Sequence, residues 1–183
     1  MVSFFNYMML YNAAQQSDSF QDFVADNFKK ILYSIESEFN IKQYLKDVYS
    51  ISTAENPKDV IFSILKRKAV QLTLSELSDD LCIVYSTIKN WRTKTQCTEP
   101  VMILLGFFSL NCEYKSSYTD EVKSLKKIKH SQHDFSFILN MSGMNIKQFG
   151  LLYKFTYRRI QNWLHDCPCP EHIAILLVYT LIH

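Results

Sequence analysis

The segment Leu77–Arg92, LSDDLCIVYSTIKNWR, decides how the rest of the chain is read. Leu77 and Leu81 lie four apart and Ile88 and Trp91 three apart, so each pair shares one face of a helix. Between them, Cys82, Ile83 and Val84 leave room only for a tight turn. Two short helices are expected, one ending near Leu81 and one running from Tyr85 to Thr93, with their apolar faces together. Upstream, Thr73-Leu-Ser-Glu76 has a cap oxygen and a Glu three residues on, the pattern of a capping box. Two short helices that cross steeply need a small residue at their contact, and Ser78 supplies it.

A second segment, Phe149–Leu164 (FGLLYKFTYRRIQNWL), has the same layout. Trp91 and Trp163 are 72 residues apart, and that offset pairs Ile88 with Ile160, Asn90 with Asn162 and Tyr85 with Tyr157. It also pairs Leu77 with Phe149, Ser78 with Gly150 and Leu65 with Phe137; a two-residue gap brings Pro100 onto Pro170, each opening an apolar helix. Asn145-Ile-Lys-Gln148 is the counterpart capping box, starting a helix to about Tyr153, and a second helix runs from Tyr157 to His165. Trp91 and Trp163 read as core residues packing with Ile88 and Ile160 on Leu77/Leu81 and Phe149/Leu152.

Leu77–Arg92 resembles the core of the Cro/C1-type (XRE-like) helix-turn-helix family, and Phe149–Leu164 resembles a more diverged copy. The resemblance spans about residues 57–110 and 133–182. It implies an all-α fold in which the second helix of each pair enters the major groove of double-stranded DNA, N-terminal residues toward the base edges. On the faces opposite Ile88/Trp91 and Ile160/Trp163, the DNA-contacting set is Tyr85, Ser86, Lys89 and Asn90 in one copy. In the other it is Tyr157, Arg158, Gln161 and Asn162, with Arg159 beside them, while Arg92 and Lys94 reach toward phosphates. Arg suits a bidentate contact to guanine, and Asn or Gln one to adenine. Helix N-termini at Thr73 and Asn145 would offer backbone amides to phosphate oxygens.

The sequence also departs from the family. Cys82 and Lys154 stand in the turn where the family has glycine at a positive φ, and Val84 replaces the polar cap kept as Thr156. The acidic residue that often follows the tryptophan position is Arg92 in one copy and Leu164 in the other. Two arrangements stay open: a pseudo-dimer reading two half-sites, or one reading copy with a partner kept for packing or dimerisation.

Outside the pairs, four regions are expected: an N-terminal helical region over 1–55, a first helix-turn-helix unit over 56–112, a basic linker over 113–131 and a second unit over 132–183. Asp18-Ser-Phe-Gln21 reads as a capping box ahead of the stripe Phe20, Phe23, Val24, Phe28, Ile31, Leu32 and Ile35. Asn56-Pro57 opens the next helix, with Val60, Ile61, Ile64 and Leu65 inward and Lys66, Arg67 and Lys68 at its end, where cations suit the helix dipole. Residues 111–132 read as a polar linker with a short basic helix from about Thr119.

The formal charge of +2 divides unevenly: residues 1–56 hold four basic and seven acidic groups, leaving sixteen and eleven for the remainder. A polyanion is thus expected to meet the C-terminal two-thirds. Only three glycines and four prolines argue against a sandwich or barrel. The longest apolar runs, Val101–Leu110 and Ile173–Ile182, are too short to span a bilayer, so a cytoplasmic protein with no membrane partner is expected. Five cysteines without framework spacing point to reduced thiols. His165, Cys167, Cys169 and His172 lack zinc-site spacing, and no phosphate loop, carboxylate dyad or nucleophile–base set appears. No metal, cofactor or enzymatic activity is therefore expected.

Together these features point to a sequence-specific transcriptional regulator of repressor type, from a phage or a low-GC bacterium given sixteen Lys against four Arg. The alternative is a protein-binding module that reuses the fold, of antitoxin or phage-inhibitor type, with the acidic, aromatic-rich N-terminal region as its partner surface. A homodimer is compatible with either.

Overall fold

The computed structural model describes residues 2–31, 38–68, 74–81, 83–93, 97–111 and 135–182. All regular structure among them is α-helical. The helices are α1 (Phe4–Gln16), α2 (Phe20–Ile31), α3 (Glu38–Thr53), α4 (Pro57–Lys68), α5 (Leu74–Leu81), α6 (Tyr85–Thr93) and α7 (Glu99–Asn111). They continue with α8 (Phe135–Ser142), α9 (Ile146–Tyr153), α10 (Tyr157–His165) and α11 (Glu171–Ile182).

The two longest apolar runs of the sequence form α7 and α11, which are apolar on every side and accordingly lie in the centre. In α7 every residue from Pro100 to Asn111 is buried, and in α11 so are Ile173 and Ile175–Thr180. They pack on each other; α4 and α3 cover α7 from the N-terminal side, and α8 covers α11. No helix among the described residues is long and apolar enough to cross a membrane.

The three N-terminal helices belong to the same core. α3 lies between α1 and α4 and reaches α7, with α2 packed on its flank. Gly106 leaves room for Tyr7 of α1, whose hydroxyl oxygen would lie 2.5 Å from a Cβ at that position. Phe4 stacks on Tyr153 (centroids 4.7 Å apart, planes at 14°) and meets Phe107 edge-on at 5.1 Å. α1 thereby joins the first half of the molecule to α9. The buried carboxylate of Asp47 in α3 accepts from Arg67 of α4 and, at 3.0 Å, from Gln43. Arg67, expected to serve the helix dipole, is thus an ion-pair partner between helices.

Several boundaries fall where the caps put them. α4 starts at Pro57, with the Asp59 amide donating to the Asn56 carbonyl at 3.1 Å. The α2 cap is one residue later than the sequence pattern indicates: Ser19, not Asp18, accepts from the Asp22 amide at 3.2 Å and donates to the Asp22 carboxylate at 2.6 Å. Thr73, Cys82, Lys94, the cysteine at 112 and the linker with its expected basic helix lie outside the described residues.

Helix starts repeat along the chain. α5, α6 and α7 begin 72 positions before α9, α10 and α11. No gap enters before the closing helices, so Pro100 and Pro170 are not equivalent: Pro100 is the second residue of α7, whereas Pro170 precedes α11 and its carbonyl accepts from Ile173 and Ala174. The leading helices α4 and α8 follow another offset, with buried Ile61 and Ile64 matching Phe135 and Ile138 at a spacing of 74. Leu65 is buried and Phe137 only half-buried for that reason.

Candidate functional site

The second pair, α9–α10, is held by short-range chemistry that the sequence spells out. Asn145 caps α9 by accepting from the Gln148 amide at 3.0 Å, and the Gln148 side chain accepts from the Asn145 amide at 3.1 Å, a complete capping box. Lys154 ends α9 in the left-handed region (φ 59°, ψ 25°), as expected of the turn position that favours glycine. Thr156 then caps α10, its hydroxyl accepting from the Arg159 amide at 3.3 Å. Gly150 sits where α9 meets the turn: a Cβ there would lie 2.8 Å from the Phe155 carbonyl oxygen and 3.3 Å from Ile160 Cδ1.

Beneath this pair lies an aromatic cluster. Trp163 is buried between Phe135 (5.1 Å) and Phe155 (4.9 Å), and Phe149 packs edge-on to Phe135 at 5.4 Å. Tyr153 joins Phe149 at 4.4 Å, and its hydroxyl pairs with Thr180 of α11 at 2.8 Å. The buried face of α10, Ile160 and Trp163, dictates what its other face presents.

That outer face carries most of the expected contact set. Tyr157 is 63% exposed, and Arg158 and Arg159 are exposed as well. Gln161 and Asn162 are half-buried; Gln161 donates to the Tyr157 hydroxyl at 3.1 Å, one helical turn back, which holds the phenol in place. Arg159 does not simply face outward, because its guanidinium lies over the Trp163 ring, 5.7 Å from the centroid. Burial, assisted by Arg159, holds the His172 imidazolium below its ordinary range. Burial also pushes the Cys169 thiol up to about 12. Among the described residues no three His, Cys, Asp or Glu side chains converge as a metal site.

The first pair, α5–α6, has the same bounds shifted by 72 and a different interior. Buried Ser78 donates to the Ile83 carbonyl at 2.6 Å, and Ile83 is the counterpart of Phe155. Val84 stands at the cap position of α6; its carbonyl accepts from Thr87 and Ile88, but its side chain offers no oxygen and is 69% exposed. Tyr85, Ser86, Lys89 and Asn90 are exposed as expected, and Ile88 is buried. The side chains of Trp91 and Arg92, like all of Lys94, fall outside the described residues.

Lys147, read from the sequence only as part of the capping box, and Lys154, read only as the turn residue, are both exposed in the second pair. Residues 146–165 hold Lys147, Lys154, Arg158 and Arg159 and no acidic residue, whereas residues 74–93 set Glu76, Asp79 and Asp80 against Lys89 and Arg92. Charge counted pair by pair, not over two-thirds of the chain, was the available signal.

Comparison with known proteins returned no matching family model, no matching curated protein and no matching solved structure.

Proposed function

We propose that this chain is a non-enzymatic, cytoplasmic DNA-binding regulator of transcription, built on two helix-turn-helix units of Cro/C1 type, with α10 as its principal reading helix. The observation that carries this reading is the surface of α9–α10. A well-capped short helix buries Ile160 and Trp163 and turns Tyr157 and Arg158 outward, Lys147 and Lys154 of the same pair are exposed, and the segment 146–165 holds no carboxylate. Arg158 would read a guanine, Asn162 an adenine, and the lysines would hold phosphates.

The test is binding of duplex DNA at increasing salt. With about four phosphate contacts, affinity should fall roughly 100-fold between about 50 and 200 mM salt. Arg158→Ala should weaken binding to a selected site roughly 10- to 100-fold. A salt-insensitive interaction, or an unchanged R158A variant, would remove α10 from the reading role.

A second reading has its own observation. Phe5, Met8, Asn12, Met144, Leu151 and Leu152 line a groove of about 500 Å³ between α1 and the α8–α9 turn, with Phe5 61% and Leu151 71% exposed. Such apolar exposure suits a protein-binding module. Leu151→Lys would abolish a protein interaction there and leave DNA binding intact.

A further inference from the structure

The packing between segments α4–α7 and α8–α11 is reciprocal. The closing helices α7 and α11 lie against each other, and each also touches the opposite pair, α11 on α5 and α7 on α9. Segments stacked by translation would make one of the last two contacts without the other. A two-fold relation makes both, because on a self-complementary interface each contact is answered by its mirror. Within each segment the contacts agree as well: the leading helix touches the closing helix and the second helix of the pair, α4 with α7 and α6, α8 with α11 and α10.

The position of the axis is also visible. Residues beside a two-fold axis meet their own equivalents. Phe107 and Tyr179 are separated by the same 72 positions as the helix starts, and their rings touch at 5.9 Å with planes at 64°. Both are fully buried. The surface through which two such segments on separate chains would associate is therefore filled from within one chain.

We infer that a single copy of this chain presents α6 and α10 to one DNA duplex as a pseudo-two-fold pair and reads an imperfect inverted repeat without a second copy. This rests on the DNA-binding reading above. An axis relating the two helices matches a DNA dyad, so the half-sites run in opposite directions. They are unequal because the reading surfaces are. At the start of the pair's second helix the first pair carries exposed Val84 and Ser86 where the second carries Thr156 and Arg158, and of these four only the arginine offers a bidentate contact to guanine. The two halves therefore differ at the position that Arg158 reads, where the α10 half takes a G·C pair.

Selection of random-sequence duplexes by the full chain, followed by sedimentation of the chain on the selected duplex, tests this. The expected result is an inverted repeat with unlike halves, occupied by one chain per duplex. Arg158→Ala should abolish discrimination in the half read by α10 alone, and Asn90→Ala in the half read by α6 alone, each by roughly 10- to 100-fold. A lone half-site, a direct repeat or two chains per duplex would overturn the inference and leave the DNA-binding reading standing. No enrichment of any duplex would remove both.

Discussion

In the second pair Gly150 lets α9 come within 2.8 Å, at its missing Cβ, of the Phe155 carbonyl; in the first pair Ser78 stands there and gives its hydroxyl to the Ile83 carbonyl at 2.6 Å. The same point of the scaffold is thus satisfied once by an absent side chain and once by a hydrogen bond. The surfaces above are less alike: the second pair has a polar cap and four basic residues without an acid, the first a bare valine and an excess of acids. The interior of this arrangement accepts chemical substitution as long as the turn carbonyl is met. Its outer face has diverged, and with it the share of ligand binding each pair would carry.

The sharpest way to break this comparison is Gly150→Val. Its Cβ would force α9 off the Phe155 carbonyl and Ile160, and overpacking of this kind should cost about 3 kcal/mol. Ser78→Gly should cost only about 1 kcal/mol, the loss of one hydrogen bond in a site that has room. Urea unfolding of both variants checks the ratio, and a harmless G150V would mean the two contacts are not equivalent. The caps give a smaller, paired effect. Thr156→Ala should destabilise by about 1 kcal/mol and Val84→Thr should stabilise by up to about 1 kcal/mol, measured by the same unfolding.

The smallest effect expected is on pH dependence. Because burial and Arg159 lower the His172 pKa in the folded chain from its ordinary 6.5, the unfolded chain takes up that proton first. Stability from this source is complete above the ordinary value and declines as pH falls through it toward the folded value. Thermal unfolding at descending pH should show this loss in the parent and a flatter profile in His172→Gln; identical profiles would assign the pH response elsewhere.

Much of the pair geometry was legible in the sequence because it is set by neighbours. Asn145 with Gln148, Lys154 and Thr156 act within three or four residues, so their spacing placed the ends of α9 and the start of α10 correctly. Exposure of Arg158 followed from the burial of Ile160 and Trp163 on the same short helix. Long-range contacts were not legible. Periodicity says which face of α1 is apolar, but not that Phe4 lies on Tyr153 or that the Tyr7 hydroxyl lies against Gly106. The paired prolines misled, because proline marks the beginning of a helix at more than one position. For the site, Arg159 over Trp163 and the Tyr157–Gln161 link depend on rotamers, which residue spacing does not specify.

The stacking of Phe4 on Tyr153 has a consequence for synthesis. On a ribosome, the aromatic side of α1 emerges before α9 and must wait until α9 has been made before this partner exists. A nascent chain stalled after α7 would hold Phe4 against Tyr7 and Phe107, with the ring face that Tyr153 covers left bare. Closure of this contact is therefore a late event that couples α1 to α9, and interrupted translation would leave exposed aromatic surface, not a finished half.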